Sequence, residues 1–98
     1  MEKLVKISAI SYLNTAPFAY GLRHSDVFSN IELFSDYPAE CARKLQSNEV
    51  DISLLPIGAL PSLTNFEVIT DFCIGATAEV RTVVLLSNSP LSQSKRIY

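Results

Sequence analysis

The stretch from Leu4 to Leu22, LVKISAISYLNTAPFAYGL, decides the architecture. Leu4 to Ile10 is a short, mostly apolar run rich in β-formers, so it reads as a buried strand that ends at Ser11. From Asn14 to Leu22 the spacing of Ala16, Phe18, Ala19 and Leu22 suits a helix, with Asn14 or Thr15 as its cap and Pro17 in its first turn. A strand thus passes into a helix through Ser11-Tyr12-Leu13-Asn14-Thr15.

The pattern repeats downstream. Ile31 to Phe34 is a second strand, and Asp36, Pro38 and Glu40 open a second helix whose apolar face is Cys41, Ala42 and Leu45. Val50 to Leu55 is a third strand, largely apolar on both faces as expected of an interior parallel strand, and Pro56 ends it. IGALPSL is a short helix or turn broken by Pro61. Phe66 to Thr70 and Val80 to Ser87 are expected to be two further extended runs, with a bend at Cys73 to Thr77 between them and a turn in PLSQSKRIY leading to another strand. Strands alternating with helices predict an α/β fold with a mostly parallel sheet, right-handed crossovers and flanking helices, and ligands in such sheets sit outside the carboxyl ends of the strands.

Composition sets the outer bounds. The 98 residues are 48% hydrophobic with a formal net charge of -2, which suits one compact domain. Acidic and basic residues are interspersed from Glu2 to Arg96 without a basic stripe, so nucleic-acid partners are not expected. The N-terminus, MEKLVKISAI, has neither the long apolar run nor the cleavage site of an export signal, and no apolar stretch approaches a membrane span. A cytoplasmic location away from the membrane is the expectation. Cys41 and Cys73 lack metal-ligand or redox spacing and read as small packing residues.

Several positions could carry chemistry. Ser11 to Thr15 sets hydroxyls and an amide beside a helix N-terminus with unpaired N–H groups, an anion-receiving arrangement, though Asn14 and Thr15 acting only as caps is the commoner fate. Asp51 and Ser53 share one face of the third strand, with Ser53 close to its carboxyl end; a core hydroxyl is the plainer reading. Gly75-Ala76-Thr77 could offer backbone N–H groups at a bend, or be an ordinary turn. Arg81, in an apolar strand, is costly unless it pairs with a carboxylate, from a substrate or from Glu79, or reaches solvent. His24 sits in a polar loop and is assigned no role. No phosphate loop, dinucleotide fingerprint, His/Cys cluster or nucleophile elbow is present in the sequence.

The string ISYLNTAPFAYGL resembles the opening motif of the chorismate dehydratase family of menaquinone biosynthesis, in which SYLN followed by a proline is characteristic. CARKLQSNEVDISLLPIGAL and CIGATAEVRTVVLLSNSPL are similar to the stretches that follow in that family. At Ala78 and Glu79, where many members carry Gly-Pro, the chain departs from the pattern. The resemblance implies a type II periplasmic-binding-protein-like fold of two α/β lobes enclosing the substrate, with residues 1–98 as the amino-terminal lobe and the second lobe absent from this chain. It implies loss of water from chorismate, a dicarboxylate, to give 3-[(1-carboxyvinyl)oxy]benzoate on the futalosine route, with no metal or organic cofactor. On the same resemblance Asn14 is the catalytic residue, Ser11, Tyr12 and Thr15 belong to the pocket wall, and Ser53, Ala76 and Thr77 bind substrate. A carboxylate-binding protein without chemistry, or the sister enzyme acting on cyclic dehypoxanthine futalosine, is the alternative. The isolated lobe is expected to be silent, and Ile97 with Tyr98 leaves a homo-oligomer open.

Overall fold

A computed structural model describes residues 3–80 and 84–96. Three parallel strands form the sheet: β1 (Val5–Ile10), β2 (Ile31–Asp36) and β3 (Ile52–Ser53), in the order β2-β1-β3. The first strand of the sequence is therefore the central one. Ile7, Ser8 and Ala9 are all buried, which is why this run is apolar or small on both faces. Register pairs Ile7 with Leu33, Ser8 with Phe34 and Ala9 with Ser35, and on the other side Ile7 with Ile52 and Ser8 with Ser53.

Helices α1 (Ala16–Arg23) and α2 (Pro38–Gln46) flank the sheet. Side chains alternate along a strand, so Ser8, Phe34, Asp36 and Ser53 share one face and Ile7, Ala9, Leu33 and Ser35 the other. Helix α2 covers the first. Its Cys41 is fully buried there, with its Sγ 3.2 Å from Ser8 Oγ, while the Cys41 carbonyl accepts a hydrogen bond from Ser53 Oγ at 3.1 Å. Helix α1 lies over the second face, where Ala16, Ala19 and Arg23 line a shared concavity with Ala9, Leu33 and Ser35.

A polar cluster ties α2 to the end of β2. Ser8 Oγ donates to Asp36 Oδ2 at 2.7 Å, Lys44 Nζ donates to both Asp36 carboxylate oxygens at 2.9 and 3.1 Å, and Lys44 also lies 4.5 Å above the Phe34 ring. Burial pushes the Asp36 carboxyl up, but the bonds from Ser8 and Lys44 and the charges of Lys44 and Arg43 outweigh it and hold the group below its ordinary value. Arg43 pairs with Glu40 and Glu49 on the exposed side of the helix, and that pairing, helped by Ser47, lowers Glu49 to about 2.

Helix α2 stops in a Schellman motif: the Glu49 N–H bonds the Lys44 carbonyl at 2.9 Å and the Asn48 N–H bonds that of Leu45 at 3.2 Å. Asn48 sits at φ 60°, a conformation in which a Cβ is strained and asparagine is tolerated better than most. Asn48→Ala is expected to lower stability by about 1 kcal/mol and Asn48→Gly to leave it equal or higher, read from urea midpoints.

Four sequence expectations need correction. β3 is a two-residue ladder, Ile52–Ser53, within Val50 to Leu55, flanked by single bonds from the Asp51 and Leu54 amides to the Lys6 and Ser8 carbonyls. IGALPSL is one 3-10 helix, Ile57–Ser62, with Pro61 inside it. Phe66 to Thr70 forms no strand, and in Val80 to Ser87 the described residues 80 and 84–87 form none; Arg81 and the terminal Ile97 and Tyr98 lie outside the described residues. Cys73 is exposed and only Cys41 packs. Native protein is thus expected to give one thiol to a maleimide and unfolded protein two, counted by mass; two modified thiols under native conditions would contradict the burial of Cys41.

Candidate functional site

The junction after β1 lies at the carboxyl edge of the sheet. The Ser11 N–H bonds the Asp36 carbonyl at 2.9 Å, pinning the start of the junction to the end of β2. A 3-10 turn, Leu13–Thr15, then precedes α1. The Thr15 N–H bonds the Tyr12 carbonyl at 3.0 Å, the Ala16 N–H bonds that of Leu13, and Pro17 has none. The expectation of bare amides at the start of the helix is corrected in place: they belong to Leu13 and Asn14, which precede the first bonded amide of the turn. Ser11, Tyr12, Leu13 and Asn14 are all exposed, and the Asn14 side chain makes no hydrogen bond to any described residue. The turn therefore presents donors and a carboxamide outward.

Thr15 behaves differently. It occupies the cap position of α1 but in helical conformation, φ -84° and ψ -12°, and its side chain bonds nothing in the helix. A capping hydroxyl ordinarily accepts from the second or third amide of the helix; here the 3-10 turn has set the backbone helical too early, and Pro17 removes one of those amides. The residue is 3% exposed and its Oγ1 has no partner among the described residues. Expected as cap or pocket wall, Thr15 is a buried, unsatisfied hydroxyl lining a concavity of about 130 Å³ between α1 and the sheet.

That concavity brings together three of the residues assigned to the wall, Ser11, Tyr12 and Thr15, and adds Arg23 and Ser35. Asn14 lies on the same turn but outside the lining. Ser53 is on the opposite face of the sheet, its hydroxyl donating to the Cys41 carbonyl. Ala76 and Thr77 are exposed, in a segment without strand or helix. Arg23 carried a signal that went unread: Thr15, Ala19 and Arg23 are four residues apart, one stripe of a helix. His24, at the end of α1, stacks on Tyr20 at 4.0 Å and its Nδ1 lies 2.9 Å from the Tyr20 carbonyl.

Among the described residues no group of three or more His, Cys, Asp or Glu side chains could hold a metal ion, and no helix is long and apolar enough to cross a membrane. A three-stranded parallel sheet in the order β2-β1-β3, with helices on both faces and an open turn at its carboxyl edge, is the arrangement of one lobe of a periplasmic-binding-protein-like fold. Residues 5–97 match the sequence model of the menaquinone biosynthesis family, and the chain belongs to that family. No curated protein and no solved structure matches it.

Proposed function

We propose that this chain is the amino-terminal lobe of an enzyme that removes water from chorismate, giving 3-[(1-carboxyvinyl)oxy]benzoate for menaquinone synthesis. The observation that carries the reading is the exposed turn after β1, where the Asn14 side chain and the amides of Leu13 and Asn14 bond no described residue. The reaction breaks a ring C–H bond and the C–O bond of the ring hydroxyl, and the ring becomes aromatic. Neutral donors suit such a site: they hold carboxylates and assist the departing hydroxyl without forcing a buried charge. Asn14 orients the substrate and donates a hydrogen bond from its side-chain N–H to the leaving oxygen, while Tyr12 and Ser11 flank it.

No side chain of the turn is a base at neutral pH, so the ring proton goes to a carboxylate of the substrate itself or to a group outside this lobe, and from there to the departing hydroxide, which leaves as water. The test incubates the complete protein containing this chain with chorismate and follows new aromatic absorbance. Formation of the enol-ether benzoate supports the reading. Saturable binding heat with unchanged ligand would instead identify a carboxylate-binding protein, and turnover of cyclic dehypoxanthine futalosine alone the sister enzyme. The 98 residues by themselves are expected to convert none, because the turn is open to water on its outer side.

A further inference from the structure

The outer edge of β2 has the form of a strand that accepts another. Backbone groups along a strand point alternately to its two sides, and the Asp36 carbonyl, bonded by the Ser11 N–H, faces β1. Glu32 and Phe34 therefore turn their backbone groups to β1 as well, while the N–H and C=O of Leu33 and Ser35 and the carbonyl of Ile31 face away. The Ile31 N–H is bonded to the Phe28 carbonyl. Among the described residues no strand pairs with that outer side, since β2 ends the order β2-β1-β3.

Sheet edges are ordinarily blunted by short strands, prolines, bulges or charges. The opposite edge, β3, is only two residues long. In contrast β2 keeps register with β1 over all six of its residues and contains no proline, no glycine and no residue at positive φ. Of its two carboxylates, Asp36 is engaged by Lys44 and Ser8. Glu32 is left, exposed and without an ion pair to any described residue.

A two-fold axis normal to the sheet pairs β2 antiparallel with its own copy. Opposed residues then share a face, so the axis passes through a residue and not between two. Which residue it passes through decides the charges. An axis at Glu32 sets that carboxylate against itself, one at Phe34 sets it against Asp36 of the second copy, and one at Ile31 or Ser35 leaves much of the strand unpaired. At Leu33 no like charges meet. The Leu33 N–H of each copy donates to the Leu33 carbonyl of the other, the Ser35 N–H donates to the Ile31 carbonyl of the second copy, and the two Leu33 side chains pack together. On the other face Glu32 falls opposite Phe34 of the second copy, over whose ring the Lys44 ammonium lies at 4.5 Å. The unpaired carboxylate of one edge thereby meets a cation of the other.

We propose that the outer edge of β2 is a dimer interface, where two copies of this chain join antiparallel about Leu33 into one continuous sheet. Because the paired strands run in opposite directions, the two Ser11 to Thr15 turns open at opposite ends of that sheet and each stays accessible. The pairing is independent of the chemistry at the turn.

The test is sedimentation equilibrium of the complete protein containing this chain, together with amide exchange on the isotope-labelled protein. The expected result is a dimer whose formation slows exchange of the Leu33 and Ser35 amides as concentration rises. Glu32→Lys, which brings an ammonium toward Lys44 of the second copy, should raise the dissociation constant at least ~10-fold. Ser35→Pro, which removes an outward N–H and no bond to β1, should weaken the dimer similarly; if it disturbs the strand, Glu32→Lys and the wild-type exchange decide the matter. Glu67→Lys makes the same charge change at an exposed residue outside the sheet and keeps the wild-type constant. A monomer at every concentration up to ~100 μM overturns the interface. So does a dimer in which the Leu33 and Ser35 amides exchange as fast as in the monomer, or one weakened equally by Glu32→Lys and Glu67→Lys. Protection of both amides that does not vary with concentration would place another segment of the chain on this edge and would also overturn it.

Discussion

Asp36→Asn is expected to cost about 2 kcal/mol of folding stability near pH 7, because it leaves the largely buried Lys44 ammonium without its counter-charge and Ser8 with a poorer acceptor. The two side chains are 17% and 16% exposed, so water screens the pair little. The Arg43 network offers the opposite case: its guanidinium and both carboxylates are well exposed, and Arg43→Gln should move the urea midpoint far less. The effect of Asp36 also carries a pH signature. Its folded-state pKa is depressed, so the stabilisation is complete above the unfolded value of 3.8 and is lost as pH falls through the lower folded value. Urea midpoints of wild type and Asp36→Asn should therefore stay apart at neutral pH and converge in acid below about pH 4. Equal midpoints at pH 7, or a gap that widens on acidification, would show that the Ser8–Asp36–Lys44 cluster does not hold α2 to the sheet.

The second large effect concerns chemistry. In the complete protein Asn14→Ala should lower kcat/KM for chorismate by roughly 100-fold, the usual loss when one preorganised donor is removed from a charge-developing site. Stability should hardly change, since the Asn14 side chain is exposed and bonds no described residue. That separation gives the measurement its force: steady-state rates and thermal midpoints are read on the same preparation. A fall in rate matched by a fall in midpoint would assign Asn14 to the backbone of the turn, and an unchanged rate would remove it from the reaction.

Much of the architecture was legible in the residues because local patterns there agree with global ones. A strand-forming run of seven, a polar junction and a helix with proline in its first turn read the same way in isolation as in the fold, and so did the second helix with Cys41 on its inner face. The same consistency failed after Leu63. Phe66 to Thr70 and the described part of Val80 to Ser87 have the composition of strands, yet they join no sheet, with Val68 69% and Leu86 86% exposed. The radius of gyration, 16.7 Å, exceeds the ~13 Å of a compact chain of this length for that reason. Strand composition records only that a segment fits a half-buried pleated surface; a ladder needs a neighbour, which composition does not supply.

The candidate site divides along the same line. Ser11, Tyr12, Asn14 and Thr15 are consecutive or nearly so, so their common location at a strand's end follows from sequence alone, as does the family to which the motif points. Which of them are donors did not. The 3-10 turn shifted the free amides to Leu13 and Asn14 and stranded the Thr15 hydroxyl inside the groove, a consequence of backbone angles that no residue type announces. Nor did the sequence reveal that Ser53 would bond the Cys41 carbonyl behind the sheet, or that Asp36 would gather Ser8 and Lys44 from 28 positions before and 8 after it. By itself the chain determined its periodicities and local stops, because those depend on neighbours in sequence. Tertiary structure alone decided which face each polar group met and which edges stayed open, because those depend on atoms brought close from distant parts of the chain.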